Sequence, residues 1–437
     1  MWTRRELLAR AGAGFGALAF QGLAAAEAHF PARAKRVIFL FMHGGPSSVD
    51  TFDPKPLLRR DDGKPLPFAK PRVVFSQTGN LLRSPWEFRQ HGESGLWISE
   101  LFPNLARHAD RLCVVKSLHG SNPAHGGACL MIHTGSDTFV RPSVGAWVSY
   151  GLGSENRNLP GFLTINPTLG HGGVQNFGAG FLPGIHQGTR IDKLGALPNA
   201  ANPELGPEEQ RAQIDLLRDL QRRRESDAAA DARLESFELA FRMQATAPAV
   251  MDLSKESAAT KAMYGIDRKP TDGFGRQCLL ARRFAEAGVR YIQVTQDGWD
   301  QHSELRKKHG KLAEEVDGPI AGLLQDLENR GLLEDTLVIW GGEFGRTPVA
   351  EGKDGRDHNP HGFTWWLAGG GVKGGLSHGE TDDYGFYAVK DKVHVHDLHA
   401  TLLHLLGLDH QRLTFRHAGR DFRLTDLEGR VVREILA

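Results

Sequence analysis

Residues 335–362 read DTLVIWGGEFGRTPVAEGKDGRDHNPHG, and the fold class turns on them. The run TLVIW is short, apolar and rich in β-branched residues, the composition of a strand buried on both faces. It follows GPIAGLLQDLENRGLLED (318–335), where leucines recur at helical spacing before a glycine stop. Beyond the strand stand Glu343, Asp357, His358, His361 and two arginines, Arg346 and Arg356. A solvated loop can carry such groups. Two histidines three residues apart beside a carboxylate read better as a site for a metal, an anion or both. Helix, glycine, buried strand and then ionisable loop is the plan of a βαβ unit.

The same plan recurs outward from this segment. KRVIFLFMHGG (35–45) reads as a first central strand and DRLCVVKSLHG (110–120) as a second; GFLTINP (161–167) and YIQVTQ (291–296) are further strands. FGRQCLLARRFAEAGVR (274–290) reads as a helix with a glycine stop, and HVHDLHATLLHLLGL (394–408) as another helix. Residues 207–242 are charged, with leucines at helical spacing, and read as a helical insertion. Strands alternating with helices predict an α/β fold with a mostly parallel central sheet flanked by helices. In such sheets ligands bind beyond the carboxyl ends of the strands. HGGPSSVDTFDPK, HGSNPAH, DGWDQH and the quoted loop each follow a predicted strand, which predicts that they converge.

The 437 residues include 53 Lys and Arg against 52 Asp and Glu, so no basic surplus points to nucleic acid and no acidic surplus to disorder. With 40% hydrophobic and 24% charged residues the chain can bury a sizeable core. The start differs: Arg4 and Arg5 precede a mild Gly- and Ala-rich apolar stretch and small residues, as in a twin-arginine export signal over 1–28. It predicts a periplasmic or secreted protein, cleaved after Ala26 or Ala28, with no stable membrane span once the signal is removed. Cys113, Cys129 and Cys278 form no paired framework, so disulfides do not organise the fold.

Carboxylates with imidazoles and no thiolate set suit zinc, manganese, magnesium or calcium, as one ion or two. Asp300 and His302 lie two apart and can face one point from an extended loop. Glu343, Asp357, His358 and His361 join them as expected ligands, and His43 and Asp50 border the same pocket. Ligand imidazoles must be neutral, so affinity is expected to fall below roughly pH 6. Arg346 and Arg356 are expected to hold the oxygens of a sulfate or phosphate.

HGGPSSVDTFDPKP, DGWDQH, GEFGRTP, GRDHNPHGFTWWLAGGGVKGG and VHDLHATLLHLLGLDH, in this order, resemble the bacterial exported proteins grouped as domain of unknown function 1501. The resemblance runs from about Arg36 to the C-terminus. That group is regarded as sulfatase-like, within the alkaline phosphatase superfamily, which implies a metal-dependent hydrolase of sulfate or phosphate esters, with a glycan among the substrates it admits. The alternative is a non-catalytic periplasmic binding module that keeps the fold. Departures are specific: Phe344 stands where the superfamily places a ligand, and His125 where it places its nucleophile. The resemblance leaves three roles for this place: His125 as nucleophile or ligand, water activated by metal, or lost covalent chemistry.

Overall fold

The computed structural model describes residues 28–69, 78–193, 195–198, 201–222 and 228–437. Arg4, Arg5 and the apolar stretch of the expected export signal lie outside the described residues.

The strands that matter here are β1 (Arg36–Met42), β2 (Thr78–Leu81), β3 (Leu112–His119), β4 (Phe162–Ile165), β5 (Thr189–Ile191), β6 (Tyr291–Gln296) and β7 (Thr336–Gly341). They continue with β8 (Gly345–Glu351), β9 (Gly355–Asn359), β10 (Phe363–Ala368), β11 (Leu376–His378) and β12 (Val393–His394). Among the described residues, nine of them form one central sheet in the order β11-β3-β10-β7-β1-β6-β4-β5, with β12 also on β3. All neighbours are parallel except β10, which runs antiparallel to both β7 and β3. Connection length explains the exception. Between β7 and β10 the chain makes only the β8–β9 excursion, with no crossover helix to return it to the other end of the sheet. That excursion is antiparallel, in the order β9-β8-β2, and stands over the carboxyl ends of the parallel strands.

Every residue of β1 is buried, as both faces of a covered parallel strand should be. Ile38, Leu40 and Met42 enter the core beneath α5 (Asp272–Glu286) and α6 (Leu305–Asn329). Val37, Phe39 and Phe41 enter the core on the other face, beneath α1 (His125–Thr134), α2 (Val144–Leu152) and α7 (Val395–Leu405). The charged stretch holds α3 (Pro207–Arg222) and α4 (Ala228–Met251). Cys113, Cys129 and Cys278 are all free and buried. Among the described residues no helix is long and apolar enough to cross a membrane.

Register decides what the strand ends present. Met42 of β1 pairs with Gln296 of β6, and Phe41 with Gly341 of β7. The three strands therefore finish level, and His43, Asp297 and Glu343 emerge side by side.

Candidate metal centre

Gly44 allows the first close approach. At φ +113°, a Cβ there would meet Asp300 N at 2.5 Å, so only glycine lets the β1 loop lie against the β6 loop. Gly355 does the same for the β8–β9 hairpin, where a Cβ would strike the His302 carbonyl. Two glycines thus fasten three loops into one pocket.

Asp300 stands at its centre. Its Oδ1 lies 2.8 Å from His302 Nε2, 3.2 Å from His358 Nε2, 3.2 Å from His125 Nε2 and 2.6 Å from Arg346 Nη2. Each imidazole is fixed by its other nitrogen. His125 Nδ1 faces Glu343 Oε1 at 2.6 Å, His358 Nδ1 faces the Pro123 carbonyl at 2.6 Å, and His302 Nδ1 faces Glu351. An acceptor at Nδ1 places the proton there in the neutral ring and leaves the Nε2 lone pair free. Three lone pairs then point at one place beside a carboxylate oxygen. His302 Nε2 and His358 Nε2 are 3.0 Å apart, and two lone pairs facing across that distance repel unless a cation or a proton lies between them. His125 Nε2 is buried with no aligned hydrogen-bond partner. A divalent ion satisfies all of this at once, and imidazoles held through Nδ1 by carboxylates or carbonyls are the usual support of such ions.

A second group adjoins the first. His43 Nδ1 lies 2.9 Å from Asp297 Oδ1, and His43 Nε2 lies 2.9 Å from His171 Nδ1. The His171 ring stacks on His125, with centroids 4.7 Å apart. Glu343, fully buried, accepts from Gly44 N at 2.9 and 3.1 Å while it holds His125. Phe344 has no ligand atom but packs against His125 and His358, with centroids 4.9 and 4.5 Å away, and so sets their ring planes.

The charges are strongly perturbed. Burial lowers the His125 imidazole, but the carboxylates of Asp300 and Glu343 outweigh it and raise the ring to about 9. Burial pushes the Asp300 carboxyl up, and His125, His302, His358 and Arg346 together hold it well below the usual range. Glu343 is also lowered: burial opposes ionisation and the contact with His125 overrides it. His302 is raised, first by Asp300, whereas burial lowers His358 and His171.

A raised His125 contributes stability that is complete below its ordinary value of 6.5 and lost as pH rises through about 9. The lowered carboxyls contribute stability present above their ordinary values and lost as pH falls. Chelator-treated protein should therefore lose thermal stability steadily from pH 6.5 to 9, and His125→Gln should flatten that decline. A flat wild-type melting profile would contradict this proton balance. An incoming ion would have to displace the same proton, so competition would extend well above the pH 6 expected from sequence.

The structure corrects several of the expected positions. Asp50 does not reach the cluster: Arg356 Nε and Nη2 grip its carboxylate at 2.7 and 3.1 Å, and both side chains are wholly buried. Ser47 Oγ also donates to Asp50, at 2.5 Å. Arg356 Nη1 and Nη2 also donate to the Thr347 and Leu82 carbonyls, so the buried guanidinium is committed to the protein interior and not to an oxyanion. Arg346 reaches the site but is filled by Asp300 and by the carbonyls of Gly44, Gly45, Trp299 and Arg356. His361 turns away beyond Pro360, against Phe386 and Tyr387, with ring centroids 6.2 and 5.4 Å distant. Asp357 lies at the edge, within ligand reach of His302 and Glu351; its Oδ1 accepts from His358 N and its Oδ2 is buried without a partner. His171, Asp297 and Glu351 were missed. The loops GHGG after β4 and DGWDQH after β6 obey the strand-end rule, which marks the first two. Glu351, inside a hairpin strand, has no such signal.

Fold and pocket together define an α/β protein with a cluster of histidines and carboxylates at the ends of its parallel strands. It belongs to the family described as "Protein of unknown function (DUF1501)", whose profile matches residues 34–436. No curated protein matches the sequence. Among solved structures the chain is similar to the PsFucS1 sulfatase from Pseudoalteromonas sp., at 13% identity and TM-score 0.35, over 90% of this chain and 70% of that one. It is similar to the phosphonate monoester hydrolase SpPMH from Silicibacter pomeroyi, at 12% identity and TM-score 0.33, over 77% and 71%. The alkaline phosphatase from the Antarctic bacterium TAB5 matches at 9% identity and TM-score 0.32, over 85% and 98%.

Proposed function

We propose that this protein is a metal-dependent hydrolase of sulfate or phosphate esters that works outside the cytoplasm. The observation behind the reading is the convergence of His125, His302 and His358 Nε2 on Asp300 Oδ1, each ring locked through Nδ1. His125, His302, His358 and Asp300 would hold the ion, with His43, His171 and Glu343 beside them for a second ion or for substrate and Asp297 holding the His43 ring. A divalent ion held there would supply Lewis-acid chemistry, polarising an ester oxygen and acidifying water.

The chain's own residues do the positioning. Glu343 and Glu351 orient His125 and His302, the Pro123 carbonyl orients His358, and Arg346 offsets the charge of Asp300. His125 is not free to swing onto an ester, because Glu343 holds its Nδ1 and its Nε2 faces the ion's seat. Water is therefore the attacking group. Metal analysis of the purified chain, followed by phosphate and sulfate esters offered to the metal-loaded protein, tests the reading. The expected result is stoichiometric metal and turnover of at least one ester class. Full metal with turnover of neither would favour the binding module.

Export through the twin-arginine route is part of the same proposal, supported by Arg4, Arg5 and the weakly apolar stretch after them. Exported material should begin near residues 27 to 29, and replacing both arginines with lysine should retain the chain in the cytoplasm. An intact Met1 on cytoplasmic protein would overturn it.

A further inference from the structure

A second concentration of charge lies away from the strand ends. The 3-10 segment Leu105–Arg111 leads into β3, so it sits at the amino end of that strand, opposite to the end from which the metal centre is built. With the segment 262–271, which runs from a helix end into a loop, and the middle of α6 it lines a cleft of about 640 Å³. Arg107, Arg111, Arg268 and Lys269 line it, against a single acid, Glu314. The chain as a whole is almost neutral, at +1, so four cations to one acid in one cleft is a local arrangement.

We propose that this cleft binds a compact polyanion carrying at least two phosphate or sulfate groups, at a site independent of the metal centre. Three of the four cations have no ion-pair partner among the described residues; only Arg111 is paired, with Glu328, its Nε 3.0 Å from Oε1. Arg107 is aimed without entering an ion pair. Its Nη2 donates to Asn104 Oδ1 at 2.5 Å, and Asn104 is itself anchored on buried Asp317 through Nδ2 at 2.7 Å and backbone N at 2.9 Å. Leu105 N takes the other Asp317 oxygen at 2.8 Å. The carboxylate therefore fastens the turn through Asn104 and Leu105 without hydrogen-bonding the guanidinium.

The opposite wall is fastened in the same way. Thr271 Oγ1 donates to the Gly265 carbonyl at 2.6 Å and Asp272 N to the Arg268 carbonyl at 2.8 Å, which fixes the loop bearing Arg268 and Lys269. Asp267, the nearest acid in sequence, is taken by Arg276 at 2.7 Å. Gly318 and Gly322 keep the floor low, since a Cβ on Gly322 would meet the Met263 carbonyl at 2.3 Å. Unpaired cations on two fixed walls attract an anion long before contact and grip it by charge-assisted bonds.

Inorganic pyrophosphate, titrated calorimetrically into the chelator-treated full chain, is the test. Saturable binding should weaken about tenfold or more in Arg268→Gln/Lys269→Gln, two exposed positions whose loss spares the core. It should also weaken with added salt and persist in His302→Ala/His358→Ala. A disulfated disaccharide in a parallel titration separates the two sources: tighter binding of pyrophosphate assigns a phosphorylated ligand, and tighter binding of the disaccharide a sulfated glycan. Unchanged affinity in the Arg268/Lys269 variant, disappearance in the histidine variant, or no saturable binding of either probe would overturn the proposal.

Discussion

Asp300→Ala should yield a folded protein that no longer retains its ion. All three imidazoles of the proposed seat converge on Asp300 Oδ1, so this carboxylate would supply both a ligand oxygen and the charge that draws a cation into the pocket. Losing a supporting residue around a metal typically costs 10- to 100-fold in affinity, and a central ligand should cost more than about 100-fold. Asp300→Asn keeps the shape and the contact with Arg346 but removes the charge, and should lose most of the same affinity. The carboxylate is 41% exposed but offsets the wholly buried Arg346, so Asp300→Ala should lose some stability while circular dichroism still shows the parent fold. Elemental analysis after dialysis gives the answer. Wild-type metal content in Asp300→Ala would remove this residue from the centre, and with it the reading of the three histidines.

Much of this centre is legible from strand ends alone. The runs RVIFLFM, LCVVKSLH, YIQVTQ and TLVIW are apolar enough to need burial on both faces, and each sends its next polar residues into one pocket. His43, Asp300, His302 and Glu343 follow directly. The antiparallel course of β10 does not, because FTWWLA has the composition of its parallel neighbours and only the short β8–β9 connection sets its direction. His171 escapes notice since FLTI is a strand of four residues and its loop reads as ordinary glycine turns. His361 misleads for the opposite reason. It shares the loop and the spacing of a ligand, yet the turn after Asn359, whose Oδ1 takes His361 N at 3.1 Å, carries it to an aromatic cluster. Residue type and spacing identify the groups available to a site; the turn decides which of them arrive.

Arg356 and Asp50 are the clearest such case, and they support a prediction about stability. From sequence, an arginine and an aspartate beside a metal motif look like an oxyanion clamp and a ligand. In the fold they are a wholly buried, two-point ion pair that ties the one-turn helix Ser48–Thr51 to the β8–β9 hairpin. Removing one partner strands a charge out of water, so Asp50→Ala should destabilise the protein by about 3–5 kcal/mol. Removing both should cost much less, because the desolvation of two charges disappears with their attraction: Asp50→Leu/Arg356→Met should recover most of the loss. Denaturant midpoints read this directly. Whatever fraction of Asp50→Ala remains folded should keep its metal, because the pair touches none of the four residues proposed to hold the ion. Metal loss in a folded Asp50 variant, without a stability change, would return Asp50 to the site. The hairpin carries His358 and Asp357, so this buried pair supports the proposed metal centre through the fold, by holding the hairpin in place.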